Sequence, residues 1–310
     1  MIMAKSGAKP MMRRFNIFKE QSQVVVFVCV VALFHHTADA AQTQIFSGPV
    51  TSAMGGSGRA GAETTEVMFL NPTAVAVGKP GMEAGLLYSD GYWANGEHET
   101  GMAVSLVEND PTNFAPGGFA YVQKRNTLNG LGWSERYFFG ALAKTVSPLF
   151  TLGLSVYHLQ QELDGGTKHS HWNGALGALF TVSPGLGIAY VLSNPIKANN
   201  DVPEPLRPIM QQSLGLHWLI EDLMRVTFDV TRWEKYNADK KAILQSGFEI
   251  RLAEFAVGRL GLEIDDIRKR NAGTLGFGFM GPRLKANYSF YKPLTEMGRA
   301  MHSVDLQLPF

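Results

Sequence analysis

Three things are scarce in this chain of 310 residues, and each narrows what it can be. Cysteine is the first: Cys29 is the only one, so neither a disulfide framework nor a paired-cysteine zinc site can be built. Long apolar runs are the second. The most extended, Val24 to Phe34, has 11 residues, whereas a spanning helix needs about 20. Charge of one sign is the third, because 28 basic against 27 acidic residues give no cationic surplus for nucleic acid. Nucleophile elbows and zinc-protease motifs are missing too, and no catalytic residue, metal ligand or cofactor is expected. His169 and His171 lie two apart with no third ligand in view, which favours two solvated side chains over a metal site.

What is present begins with an export signal. Arg13, Arg14 and Lys19 form a basic region, Val24 to Phe34 an apolar core, and Ala38-Asp39-Ala40 a small-residue cleavage site. Residues 1–40 are therefore expected to be a signal peptide, with Met11 or Met12 as alternative starts. Cys29 sits in the middle of the apolar core, not at its end where a lipidated cysteine belongs. Removing five basic residues (Lys5, Lys9, Arg13, Arg14, Lys19) and two acidic ones (Glu20, Asp39) leaves 23 and 25, a charge of −2.

Residues 41–81 are of a different kind, rich in glycine and small side chains. Gly56, Gly58 and Gly61 have the spacing of a dinucleotide loop, but the residues before them, Ser47 to Ala53, are small and turn-like and not a buried strand. Glu63-Thr64-Thr65-Glu66 leading into Val67 to Leu70 predicts a capped helical turn. Asn71-Pro72 marks a turn.

From residue 82 onward the pattern has a period of two. Fourteen segments alternate apolar with small or polar residues: 82–93, 100–108, 117–125, 134–145, 150–161, 170–182, 185–192, 208–218, 222–233, 242–252, 255–265, 271–280, 282–292 and 300–310. Most have the length that a tilted strand needs to cross a bilayer. The connections alternate between tight ones, such as Ser183-Pro184, and longer ones, such as 162–169 and 234–241, the rhythm of an outer-membrane barrel. The stretch 109–116 is long where a tight turn is expected. Mean hydropathy is −0.04, as it should be when lipid-facing and lumen-facing residues cancel. The fold expected is all-β, a 14-stranded antiparallel transmembrane barrel over 82–310 that is preceded by an inserted segment. Trp93, Trp133, Trp172 and Trp233 would mark one interfacial belt and Trp218 the other.

The order of these features resembles the superfamily of FadL/TodX-like outer-membrane barrels, which includes PorV- and PorQ-like proteins. Ala53-Met54-Gly55-Gly56-Ser57-Gly58 matches its G-M-G-G-A-like run, and Phe69-Leu70-Asn71-Pro72-Thr73-Ala74 its N-P-A-like turn. Glutamates stand where aspartates are common, and Thr73 replaces the usual alanine. The resemblance implies that residues 41–81 fold inside the barrel as a hatch, with Met54, Gly55, Gly56, Gly58, Glu63, Glu66, Asn71 and Pro72 as its marker residues. Asn71-Pro72 would then turn the chain out of the lumen into the first strand. It also implies that Leu306, Leu308 and Phe310 form the signal read by the barrel-assembly machinery, and that Phe114-Ala115-Pro116-Gly117-Gly118 is a candidate lateral opening, although an ordinary turn explains those residues equally well.

Alternation divides the lumen into two walls. Arg225, Asp229, Glu249, Arg251, Arg259, Glu263, Lys285 and Asp305 point inward on one side. Gly153, Ser155, Ala175, Gly177, Leu179, Gly187, Ala189 and Val191 do so on the other. They would line an amphipathic passage, or else the charges pair and the small residues make room for the inserted segment. The leading functional expectation is a PorV/PorQ-like docking role for a secreted or surface partner, with the proline-stiffened 193–207 as either partner edge or solvated spacer. The alternative is passive transport of small hydrophobic compounds through a hatch-gated lumen with a lateral exit, and a third is a purely structural barrel in outer-membrane lipid.

Overall fold

The computed structural model describes residues 46–61, 65–77, 80–93, 96–110, 112–128, 131–199, 202–203, 206–234, 241–268, 270–294 and 300–310. The expected signal peptide and Glu63 lie outside the described residues. The chain forms a closed antiparallel barrel of fourteen strands. In order they are β1 (Gly81–Tyr92), β2 (His98–Asn109), β3 (Gly117–Leu128), β4 (Leu131–Ser147), β5 (Phe150–Leu163), β6 (Lys168–Ser183), β7 (Leu186–Ser193), β8 (Gln211–Ile220), β9 (Met224–Trp233), β10 (Ile243–Ala253), β11 (Ala256–Asp265), β12 (Arg270–Met280), β13 (Lys285–Pro293) and β14 (Met301–Pro309).

Each strand pairs with its sequence neighbours, and β14 closes on β1 with Leu306 opposite Leu86 and Leu308 opposite Ala84. Past the strand end, Met82 N donates to Phe310 O (3.0 Å) and Phe310 N to Met82 O (2.9 Å). Closure leaves no sheet edge, the condition for backbone polar groups to sit in hydrocarbon. The outward row is apolar all round, with Leu86, Phe119, Leu154, Leu214, Leu260 and Leu306 exposed. Water would solvate such a belt poorly, and lipid chains would cover it.

Three register shifts, at Thr145/Ser147, Thr181/Ser183 and Arg251/Ala253, fall beside tight turns. Boundaries shift by up to three residues: β8 starts at Gln211 and not near 208, because Pro208 to Met210 belong to the long connection that precedes it, β13 starts at Lys285 and not near 282, and β4 starts at Leu131 and not near 134.

The N-terminal segment departs further from expectation. Pro49–Ala53, which sequence alone presents as turn-like, forms a short helix, α1. Of the helical turn expected over 63–70, the described residues 65–70 form a 3-10 turn at Val67–Phe69, and a second 3-10 turn runs from Pro72 to Ala76. Pro72 is tolerated because it occupies the first turn, where its missing N–H has no partner to lose.

Candidate functional site

The inward face of the barrel is occupied by residues 46–61 and 65–77. On one side α1 packs against β11 to β14; on the other, the second 3-10 turn packs against β4, β5 and β6. Inward-facing glycines make the room. A Cβ at Gly247 would come within 2.5 Å of Met54 Cβ, one at Gly215 within 3.0 Å of Arg59 Cβ, and one at Gly153 within 2.6 Å of the Pro72 carbonyl carbon. Gly261 likewise abuts the backbone of Met54 and Gly55, and Gly177 abuts Asn71 and Pro72. Small residues thus accommodate the segment, on the polar wall as well as the smooth one.

The segment turns sharply at Gly55 (φ 68°) and Gly56 (φ 82°), values that a side chain would strain. Gly55 N donates to Thr274 Oγ1 (3.0 Å), and Thr274 Oγ1 donates to Ala53 O (2.8 Å). Ser57 Oγ and Thr227 Oγ1 lie 2.6 Å apart. The strongest tie is at Asp229, fully buried on β9. Its Oδ2 accepts from Gly58 N (2.9 Å), Arg59 N (3.1 Å) and Arg59 Nη1 (2.9 Å), the last an ion pair. Arg59 Nη1 also donates to Gln245 Oε1 (3.0 Å). Sequence reasoning passed over Arg59; a lone arginine among glycines and alanines was the available signal.

Most of the other charges on the polar wall sit in ion pairs. Glu249 lies between Arg259 (2.6 Å) and Arg225 (3.5 Å), and Arg268 contacts Glu263 (3.1 Å) and Asp265. Arg259 Nη1 donates to Asn287 Oδ1 (2.8 Å), whose amide donates to Asp305 Oδ1 (2.8 Å), and Lys285 pairs with Glu83. Arg251 is set apart, exposed beside the β10–β11 turn. Of the two expected arrangements, the wall is the paired one, which avoids the cost of isolated buried charges.

On the smooth wall Phe69 meets Phe46 (5.9 Å between centroids) and Phe139 (5.3 Å), both edge-on. Asn71 is buried; its Nδ2 donates to Arg59 O (2.7 Å), and its Oδ1 caps the second 3-10 turn through Thr73 N (3.0 Å). Asn71-Pro72 therefore ties the two halves of the segment together inside the barrel and does not lead out of it, since five further turn residues precede β1. Glu66 is buried, and its Oε1 accepts from Thr51 N (2.8 Å).

Burial, with Asp305 nearby, pushes the Glu66 carboxyl from an ordinary 4.5 up to about 8, against the opposing pull of the Thr51 N–H and Arg259. The seated segment thus holds a proton that a water-exposed carboxyl releases near 4.5. Raising pH between these two values favours the unseated state, with the effect complete above about 8. Susceptibility of the segment to added protease should rise across that window. Glu66→Gln should flatten the profile, and an identical slope in that variant would exclude Glu66 as its origin.

The comparisons with known proteins fit this geometry. No protein-family model matches the chain, and no curated protein does. Among solved structures it is similar to the toluene transporter TbuX of Ralstonia pickettii, with TM-score 0.69 and 13% identity over 86% of this chain and 99% of that one. The CymD monoaromatic hydrocarbon channel gives TM-score 0.68 and 14% identity over 87% and 99%. A FadL homologue of Pseudomonas aeruginosa gives 0.66 and 13% over 87% and 100%. The fold is that of the FadL-type barrels.

Within this FadL-type fold three expectations change. The candidate opening at 114–118 has no bulge: Gly117 and Gly118 pair in register with β2 and β4, and Pro116 still accepts from Ala143 N (3.0 Å). Pro116 precedes the strand, so its missing N–H costs no ladder bond. Phe114 projects into solvent with Lys144 Nζ 4.5 Å from its ring centroid. The described residues of the connection after β7 divide: Val202 and Leu206 are buried, Gln161 Nε2 donates to Leu206 O (2.9 Å) and Asn173 Nδ2 to Ile196 O (2.8 Å), whereas the side chains of Pro195, Ile196 and Lys197 are exposed. The tryptophan belt is also incomplete. Trp172 and Trp218 face outward, but Trp93 and Trp233 are buried on the inward face, Trp93 beneath Arg270 and edge-on to Tyr291.

Proposed function

We propose that this FadL-type barrel resides in the outer membrane and passes small hydrophobic compounds, with residues 41–81 as the hatch that closes the lumen. One observation carries the reading: a closed barrel with an apolar exterior holds, against its inner wall, a segment fixed by a few polar ties on one side and by packing on the other. Such a seat is separable from the wall without breaking a strand pair. The similar solved structures support the same class, since TbuX is described as a toluene transporter and CymD as a monoaromatic hydrocarbon channel. The docking reading is the weaker one, because these similar structures are a transporter and a channel of small hydrophobic compounds.

In this reading residues 1–40 direct export and are cleaved, and Leu306, Leu308 and Phe310 present the terminal strand to the assembly machinery. The lumenal ion pairs are structural; the chain is a conduit, not an enzyme. The test is uptake of radiolabelled toluene by cells whose outer membrane carries the chain, beside uptake of a sugar of similar size. A rise for toluene alone is expected. Equal rates with and without the chain, after fractionation shows it in the outer membrane, would refute transport.

A further inference from the structure

We propose that the outer face of β3 to β6, at its loop end, is a binding site for a phosphorylated glycolipid of the outer leaflet. The inference rests on the outer-membrane orientation proposed above, with the longer loops outside. Two cavities share this face. The upper one, of about 270 Å³, is lined by the outward side chains of Arg136, Gln160, Glu162, Lys168 and Ser170. The lower one, of about 730 Å³, is an apolar trough with Gly140 in its floor and Phe119, Tyr121, Phe138, Val156 and Trp172 around it.

The ladder makes them continuous. Arg136 pairs with Gln160 and Gln160 with Ser170, while two residues further along the same strands Phe138 pairs with His158 and His158 with Trp172. His158 and Trp172 meet at the junction, 4.8 Å between centroids with the rings tilted by 34°. Charges above an aromatic row on a lipid-facing surface sit at headgroup level, since deeper placement would be costly.

The charge balance selects the headgroup. Glu162 is shared at long range by Arg136 (3.7 Å) and Lys168 (3.5 Å), and Arg125, exposed on β3, pairs in register with Ser134 beside them. Asp164, the next acid, is engaged by Gly132 N (3.0 Å). Three cations thus face two carboxylates, Glu162 and Asp164, a surplus of one positive charge suited to phosphate, which guanidinium binds in a two-pronged geometry. Gln160 and Ser170 suit sugar hydroxyls, and the trough below suits acyl chains.

Native mass spectrometry of the full-length purified protein with bis-phosphorylated hexa-acyl lipid A tests the site. Bound lipid is expected, with occupancy falling roughly tenfold or more in Arg136→Gln/Lys168→Gln and on enzymatic dephosphorylation of the lipid. Arg232→Gln, an outward cation on β9, should retain wild-type occupancy, and heat-modifiable mobility shows that each variant is folded. Equal binding by the double variant, or by dephosphorylated lipid, would overturn the proposal. Labelling of Gly165→Cys on intact cells by an impermeant maleimide checks the orientation separately. A protected cysteine would overturn the outer-leaflet assignment together with the orientation, whereas a labelled cysteine with no lipid bound would overturn the lipid site alone.

Discussion

Replacing Asp229 with alanine should unseat the lumenal segment and leave the barrel closed. Asp229 is fully buried, and its Oδ2 accepts Gly58 N, Arg59 N and the Arg59 guanidinium, so one substitution removes three ties. It also strands the Arg59 guanidinium against the wall, where Gln245 Oε1 is its remaining partner among the described residues. Removing one member of a buried pair costs about 3–5 kcal/mol. If that falls on the seating equilibrium, the unseated population rises on the order of 10²-fold or more, because each 1.36 kcal/mol is a factor of ten. The strand pairs of β9 with β8 and β10 are backbone bonds and are unaffected. Toluene uptake should therefore rise while heat-modifiable mobility stays that of a folded barrel. Uptake at the wild-type rate, with the segment no more open to protease, would show that Asp229 does not hold it.

The second large effect is expected at Gly153, on the opposite wall. Its missing side chain leaves space taken by backbone atoms of Pro72 and Thr73, which cannot rotate away as a side chain would. Gly153→Val should push the second 3-10 turn off β5, with the overpacking cost of about 1–3 kcal/mol falling on the seat. Gly273→Val is the control, since a Cβ there would meet only Leu294 Cδ2 at an ordinary 3.5 Å. Proteolysis within residues 65–77 should increase for Gly153→Val alone. Equal protection in both variants would mean that the smooth wall does not set the position of the segment.

Strand number and order are legible in the sequence because a period of two is a local property. Val304, Leu306 and Leu308 fall on one face of the last segment whatever happens elsewhere, and the structure places them outward. The face of a strand-end residue is legible by the same counting. Trp233 shares its parity with Asp229 and Trp93 with Ser89, so both belong inward; position along the barrel axis alone had suggested a belt. Leu214, Leu216 and Trp218 show the counting working in the other direction.

The seat of the segment is not local. Arg59 meets Asp229 across 170 residues of sequence, and nothing near Arg59 announces a buried partner. Glycines on β10, β11 and β12 read as strand weaknesses until Ala53, Met54 and Gly55, at the end of α1 and just beyond it, are seen filling the space they leave. Pro208, Ile209 and Met210 look like the start of a strand because they are apolar, yet they lie half-buried before β8, with Ile209 packed against Trp233, Ile243 and Ile267. Glu66 is legible as a carboxylate near a helical turn, but its raised pKa comes from burial and from Asp305, 239 positions further along the chain, which no local pattern announces.

A reversible lock on the segment tests most directly whether its movement opens the lumen. Ser57 Oγ and Thr227 Oγ1 are 2.6 Å apart, and Ser57→Cys/Thr227→Cys places two thiols where a disulfide can form between segment and wall. Toluene uptake should be lost when the pair is oxidised and return on reduction, with sugar uptake low throughout. Undiminished toluene uptake in the fully oxidised protein would contradict a hatch that must move.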